Sequence, residues 1–145
     1  MSRGGTPEAG YEQFEMDADV GIRAWGPTRA EAFAQTALGV FSLIVPPEGV
    51  GARDVREVRA QAGSPEVLLV NWIDECLYVH EIEGYVVARI EVMVLEDTRI
   101  HALLHGEEID PSRHALRAVV KAATLHQVEV AVRQGRHETR VVLDV

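Results

Sequence analysis

Three aspartates stand near the two ends of the chain, Asp17 and Asp19 close to its start and Asp144 beside the last residue. Carboxylate oxygens suit hard cations, and calcium or magnesium accepts them together with backbone carbonyls and water. Val145 adds main-chain oxygens, the terminal carboxylate among them, next to Asp144. Such a donor set requires the two ends of the chain to meet in the fold. The other reading of the same residues, three solvated aspartates, requires nothing and stays open on the sequence.

Other chemistry leaves little trace. There is no glycine-rich phosphate loop, no paired histidines on a helix and no serine in a nucleophile elbow. The six histidines are spread from His80 to His137, and each alone reads as a structural or solvated side chain. The single Cys76 has apolar neighbours, so it reads as a small buried hydrophobe rather than a nucleophile; alone it makes neither an internal disulfide nor a thiolate zinc cluster.

Charge narrows the partners. With 14 basic and 23 acidic side chains the formal net charge is -9, which opposes sequence-independent binding to phosphate backbones. Cations or a basic protein surface are the expected partners. An apolar share of 47% and a charged share of 26% describe an ordinary soluble domain, and 145 residues suffice for one core. Residues 1–10, rich in glycine and nearly free of large apolar side chains, read as a flexible tail, leaving 11–145 as a single domain. Neither a secretory signal nor an apolar run of membrane-spanning length occurs, so a cytoplasmic location is expected.

The elements that must position the aspartates follow from periodicity. Val20, Ile22 and Ala24 alternate with Asp19, Gly21 and Arg23 as in a strand, within short alternating stretches over 11–25. Gly26-Pro27 breaks the strand, and Thr28 with Glu31 has capping-box spacing. Ala30, Phe33, Ala34, Ala37, Leu38 and Phe41 then mark a helix that Pro46-Pro47 stops. After a weaker extended segment around Val55 and Val58, Ser64-Pro65 opens a second helix reaching about Ile82, apolar on nearly all sides. Strands are expected over 85–95 and 100–105 as a hairpin. A long one, or two with a bend, should run from Leu116 to Val132, and a last one should close the chain over 137–145. Two helices among about seven strands predict an α+β sandwich.

Four blocks of sequence carry a resemblance. Asp19-Val20-Gly21-Ile22-Arg23-Ala24-Trp25-Gly26 resembles the archease signature, Ala-Asp-Val-Gly-Ile followed by a small or aromatic pair and Gly. Residues 68–78, Leu-Leu-Val-Asn-Trp-Ile-Asp-Glu-Cys-Leu-Tyr, are similar to that family's central helix, and Val120-Lys121-Ala122-Ala123-Thr124-Leu125-His126 to its Val-Lys-Ala-x-Thr-Tyr-His segment. The ending Val142-Leu143-Asp144-Val145 is similar to its terminal hydrophobic-Asp-hydrophobic strand. Glu15-Met16-Asp17 stands where many members carry Asp-His-Thr, and Leu125 replaces a tyrosine, so roles tied to that histidine or hydroxyl do not transfer.

The resemblance implies the archease fold and a bound divalent cation, calcium by expectation with magnesium or manganese as alternatives. It implies Asp19, Asp144 and a main-chain oxygen of Val145 as ligands, with Asp17 as an additional candidate. Lys121 and His126 are candidate partner contacts; being in opposite phases, they share a face only if a bulge separates them. His126 otherwise reads as a hydrogen-bonded core or interface residue. The implied activity is accessory: activation of the RNA ligase that joins tRNA halves, by promoting its guanylylation and turnover, with no catalysis by the chain alone. A metal-dependent phosphoesterase and a general chaperone or interaction module are the competing classes.

Overall fold

The computed structural model describes residues 8–145. In chain order the elements are β1 (Gly10–Met16), β2 (Asp19–Gly26), α1 (Arg29–Ile44), a short 3-10 turn (Pro47–Gly49), β3 (Asp54–Gln61), α2 (Pro65–Glu83), β4 (Tyr85–Leu95), β5 (Arg99–Glu108), β6 (Ala122–Arg133) and β7 (Arg136–Asp144). The strands build two antiparallel sheets, ordered β1-β2-β7-β6 and β3-β5-β4. Each helix packs against both sheets, so the helices form a middle layer between them. This is the α+β sandwich that the periodicities predict.

The caps explain where the helices begin. Thr28 accepts the Glu31 N–H at 3.1 Å, and Ser64 accepts that of Val67 at 3.3 Å with Pro65 in the first helical position. Gly84, at φ 60°, takes the left-handed conformation that ends α2 and starts β4. Along α1, Phe33, Ala37, Val40, Phe41 and Ile44 are buried. Gly39 lies under Ile22 and Tyr11, where a Cβ would come within 2.7 Å of Ile22 Cγ2, so the helix sits close on the first sheet.

Two polar links tie the layers. Thr36 donates its hydroxyl to the Ala32 carbonyl at 2.7 Å, which leaves the buried Thr139 hydroxyl as donor to Thr36 at 2.6 Å, joining α1 to β7. Trp72, fully buried in α2, donates its indole N–H to the Phe33 carbonyl of α1 at 2.9 Å. Such pairing is what lets polar atoms enter an apolar core without a large desolvation cost. Cys76 is 1% exposed within that core, as its neighbours suggest.

The structure corrects two expectations. Strand pairing starts at Ala122, not at Leu116; residues 115–121 run with neither turn, bend nor ladder partner among the described residues, and of their N–H groups only those of Arg117 and Lys121 are held, by the Ile44 and Asp144 carbonyls. The alternation of Leu116, Ala118 and Val120 describes an extended chain, but a strand also needs a neighbour. The second concerns the tail expected over residues 1–10: Gly10 already opens β1 opposite Trp25. Its first seven positions lie outside the described residues.

Candidate metal centre

The first sheet brings the ends of the chain together. Asp17 and Ala18 form the turn between β1 and β2, with Asp17 at φ 54°, a left-handed conformation that aspartate tolerates because its side chain hydrogen-bonds locally. Asp19 then opens β2 opposite Met16, and Asp144 closes β7 opposite Ala122. Strands β2 and β7 are neighbours, with Val20 facing Leu143, so Asp19 and Asp144 are the next residues outward on the same register. In an antiparallel ladder such positions lie about 5 Å apart.

Strand alternation sets their direction. Ile22, Val141 and Leu143 point into the core and are at most 1% exposed; Asp19 and Asp144 hold the other phase and stand on the sheet's outer face. Both are exposed, and neither side chain has a hydrogen bond or ion pair with another described residue. Val145, 49% exposed, follows with a main-chain oxygen equally free of described partners. Among the described residues no group of three or more His, Cys, Asp or Glu side chains is placed to hold a metal. What the corner offers is two neighbouring carboxylates without described partners and a main-chain oxygen, with Asp17 in the adjoining turn, oxygen donors of the kind that hard cations accept.

Gly21 is shaped by the same corner. Its Cβ would lie 2.2 Å from the Phe14 ring, so the missing side chain gives that ring its place on the outer face, one strand position inward from Asp19. A physical reason thus exists for glycine two residues after the aspartate.

On the other side of β7, the Lys121 N–H donates to the Asp144 carbonyl at 2.8 Å, while its ammonium has no described partner. The next anchor was not visible in the sequence. Asp74 of α2 accepts the Ala123 N–H through Oδ1 at 2.7 Å, fixing the start of β6 from the helix layer. Burial pushes the Asp74 carboxyl above its ordinary range, and the Ala123 N–H pulls it partly back. The only sequence signal was a carboxylate between Ile73 and Cys76 on the most apolar helix. Thr124 completes the anchoring by donating its hydroxyl to the Val142 carbonyl at 3.0 Å.

The register of β6 on β7 breaks between Thr124 and Glu129, and Gln127 within the break is at φ 54°. This is the bulge on which any shared face for Lys121 and His126 depends. His126 lies in it, exposed and without a described hydrogen-bond partner, which overturns the core half of the expectation, because the bulge lifts the residue off the ladder, and leaves the interface half.

A second cluster also escaped the sequence. Glu107, 5% exposed, accepts from Arg113 at 2.8 and 3.2 Å, from the Gly51 N–H at 2.6 Å, and pairs with His114 Nε2 at 3.0 Å. His114 Nδ1 accepts the Asp110 N–H at 2.9 Å, so Nε2 carries the proton and donates to Glu107. The Arg113 guanidinium, then the Gly51 N–H and His114, hold the Glu107 carboxyl down to about 2 against the effect of burial. This knot fastens the loop after β5, which leads to Lys121. Glu107 and His114 flank a turn with no periodicity, so no pattern announced their meeting.

Comparison with known proteins agrees with this architecture. Residues 11–145 match the model of the Archease protein family. The chain is 34% identical to Protein archease of Pyrococcus abyssi over 139 residues, covering 93% of this chain and 98% of the relative. It is 33% identical to Protein archease of Methanosarcina mazei, with 93% and 95% covered. Among solved structures, Methanobacterium thermoautotrophicum protein 1598 superposes with a TM-score of 0.77 at 30% identity, over 94% of this chain and 99% of that one. A Thermotoga maritima archease described as a possible chaperone shares the fold, with a TM-score of 0.58 at 15% identity and full coverage of both chains. A match over the whole domain, with relatives above 30% identity across nearly their full length, places this chain in the archease family.

Proposed function

We propose that this chain is a cytoplasmic accessory protein that activates a tRNA-splicing RNA ligase, promoting the ligase's guanylylation and turnover. The working part is the end of the first sheet where Asp19, Asp144 and the Val145 main-chain oxygen hold a divalent cation, calcium first and magnesium or manganese by the same chemistry. Membership in the archease family supports the accessory role. The observation that carries the site is the β2–β7 register, which puts two unpaired carboxylates from opposite ends of the chain side by side.

A hard cation at this place supplies positive charge and open coordination positions for a phosphate or carboxylate of the partner. The chain's own residues do the positioning. Asp19 and Asp144 would neutralise part of that charge and fix it at the ends of the two inner strands of the first sheet. Asp74 and the Asp144 carbonyl hold the backbone N–H groups of Ala123 and Lys121, which fixes the chain next to Asp144. Charges pre-set in this way favour phosphoryl transfer in a partner's pocket through orientation and electrostatics rather than through bond-making by this protein.

A single-turnover guanylylation assay of the ligase, with and without this protein, tests the reading. Asp19→Ala and Asp144→Ala should each lose most of the stimulation. Full stimulation by an Asp144→Ala protein that binds no cation would contradict it. Phosphoester turnover by the isolated chain would favour the enzyme reading, and protection of unrelated unfolded proteins the chaperone reading.

A further inference from the structure

Residues 111–128 contain no aspartate or glutamate, yet they carry Arg113, Arg117 and Lys121, in a protein whose net charge is -9. Arg113 is used within the Glu107 knot, but the side chains of Arg117 and Lys121 have no partner among the described residues. The backbone between them is equally unspent. Over 115–121 the chain runs without turn or bend, and its only described hydrogen bonds are the inward N–H groups of Arg117 and Lys121. In an extended chain alternate residues present their N–H and C=O to opposite edges, so the exposed Leu116 and Ala118 offer theirs on the edge away from those bonds, which ends at the buried Val120. Leu116 and Val119 are 55% and 74% exposed, and His80 and Glu81 of α2 line the groove alongside.

An alternating apolar segment with an open backbone edge is half of a strand pair. Its occupant is selected by charge. A second copy paired antiparallel about Ala118 would bring two Arg117 and two Lys121 side chains into one interface, and such like-charge juxtaposition is unfavourable. We infer that residues 115–121 are a docking edge for an extended acidic segment of a partner protein, which adds as a strand to Leu116 and Ala118 and places its carboxylates on Arg117 and Lys121. Main-chain hydrogen bonds give such pairing its affinity and the side chains its selectivity. The edge continues into Lys121 and Ala122, beside Asp144. It goes beyond the metal-centre reading, since it needs no cation.

The test uses the full chain in chelator, so that failure of the cation site has no bearing on it. A capped nine-residue peptide alternating valine and glutamate is titrated against the protein, with a valine–lysine peptide as counterpart. Binding of the acidic peptide, protection from hydrogen exchange at the Leu116 and Ala118 amides, and loss of binding in Ala118→Pro are expected. The double variant R117E/K121E changes only exposed, unpaired side chains; it should weaken the acidic peptide roughly tenfold and favour the basic one. The inference is overturned by no binding at millimolar peptide, by equal binding of both peptides, by binding unaffected in the double variant, or by dimerisation of the free protein that protects the same amides.

Discussion

Asp74 and Glu107 each spend a carboxylate on holding backbone in place, and each gives a measurable consequence. Asp74 offers Oδ1 to the Ala123 N–H from the far side of the helix layer. Asp74→Asn keeps an acceptor there and should leave stability nearly unchanged, whereas Asp74→Ala strands the N–H and should cost about 1–2 kcal/mol in denaturant unfolding. Glu107 behaves differently with pH, because its partners lower the folded-state value from 4.5 to about 2. A depressed carboxyl contributes stability that is present above the unfolded value and disappears as pH falls through the folded one. Acid unfolding of the wild type should therefore steepen between pH 4.5 and about 2, and Glu107→Gln should flatten that part of the profile while lowering stability at neutral pH. That Asp19 and Asp144 leave the core was readable from strand phase, whereas their standing side by side rests on β2 pairing with β7, which phase does not report. Asp74 and Ala123, 49 residues apart, share no phase, and only the packed helix layer brings them together.

Elements were legible where a local rule dictates them. Thr28 and Ser64 announced both helix starts, and Gly84 announced the start of β4, since caps and left-handed turns act within a few residues. What local rules miss is supply of a neighbour. The Leu116-to-Val120 alternation is genuine, yet no strand among the described residues reaches it, and the bulge after Thr124 shifts the rest of β6 in a way that no periodicity reports. Glycine marks another such contact: at Gly106 in β5 a Cβ would stand 1.9 Å from the Val86 carbonyl oxygen, beside the β4 register shift between Val87 and Arg89. That neighbour is backbone and cannot rotate away. Gly106→Ala should thus force the β4–β5 pair apart and cost about 1–3 kcal/mol, read as a lower Tm with secondary structure retained.

At the scale of the whole molecule, the sandwich uses one sheet to join the beginning of the chain to its end. Strand β2 lies between β1 and β7, the helix layer presses on their inner face through Ile22, Gly39 and the Thr36–Thr139 pair, and the outer face is left to carry charge. The proposed cation site would depend on folding: Asp19 and Asp144 come from strands far apart in sequence, so binding and global stability would be linked and a bound cation should raise Tm with the logarithm of its free concentration over Kd. The most direct measurement is a calcium titration of the folded protein followed by backbone amide NMR. The amides of Asp19, Asp144 and Val145 should shift together along one binding curve, and Asp19→Asn should weaken the curve seen at Asp144 by roughly tenfold or more. Calcium shifts at one strand end that persist unchanged when the other aspartate is replaced, or no saturable shift at either, would contradict the account.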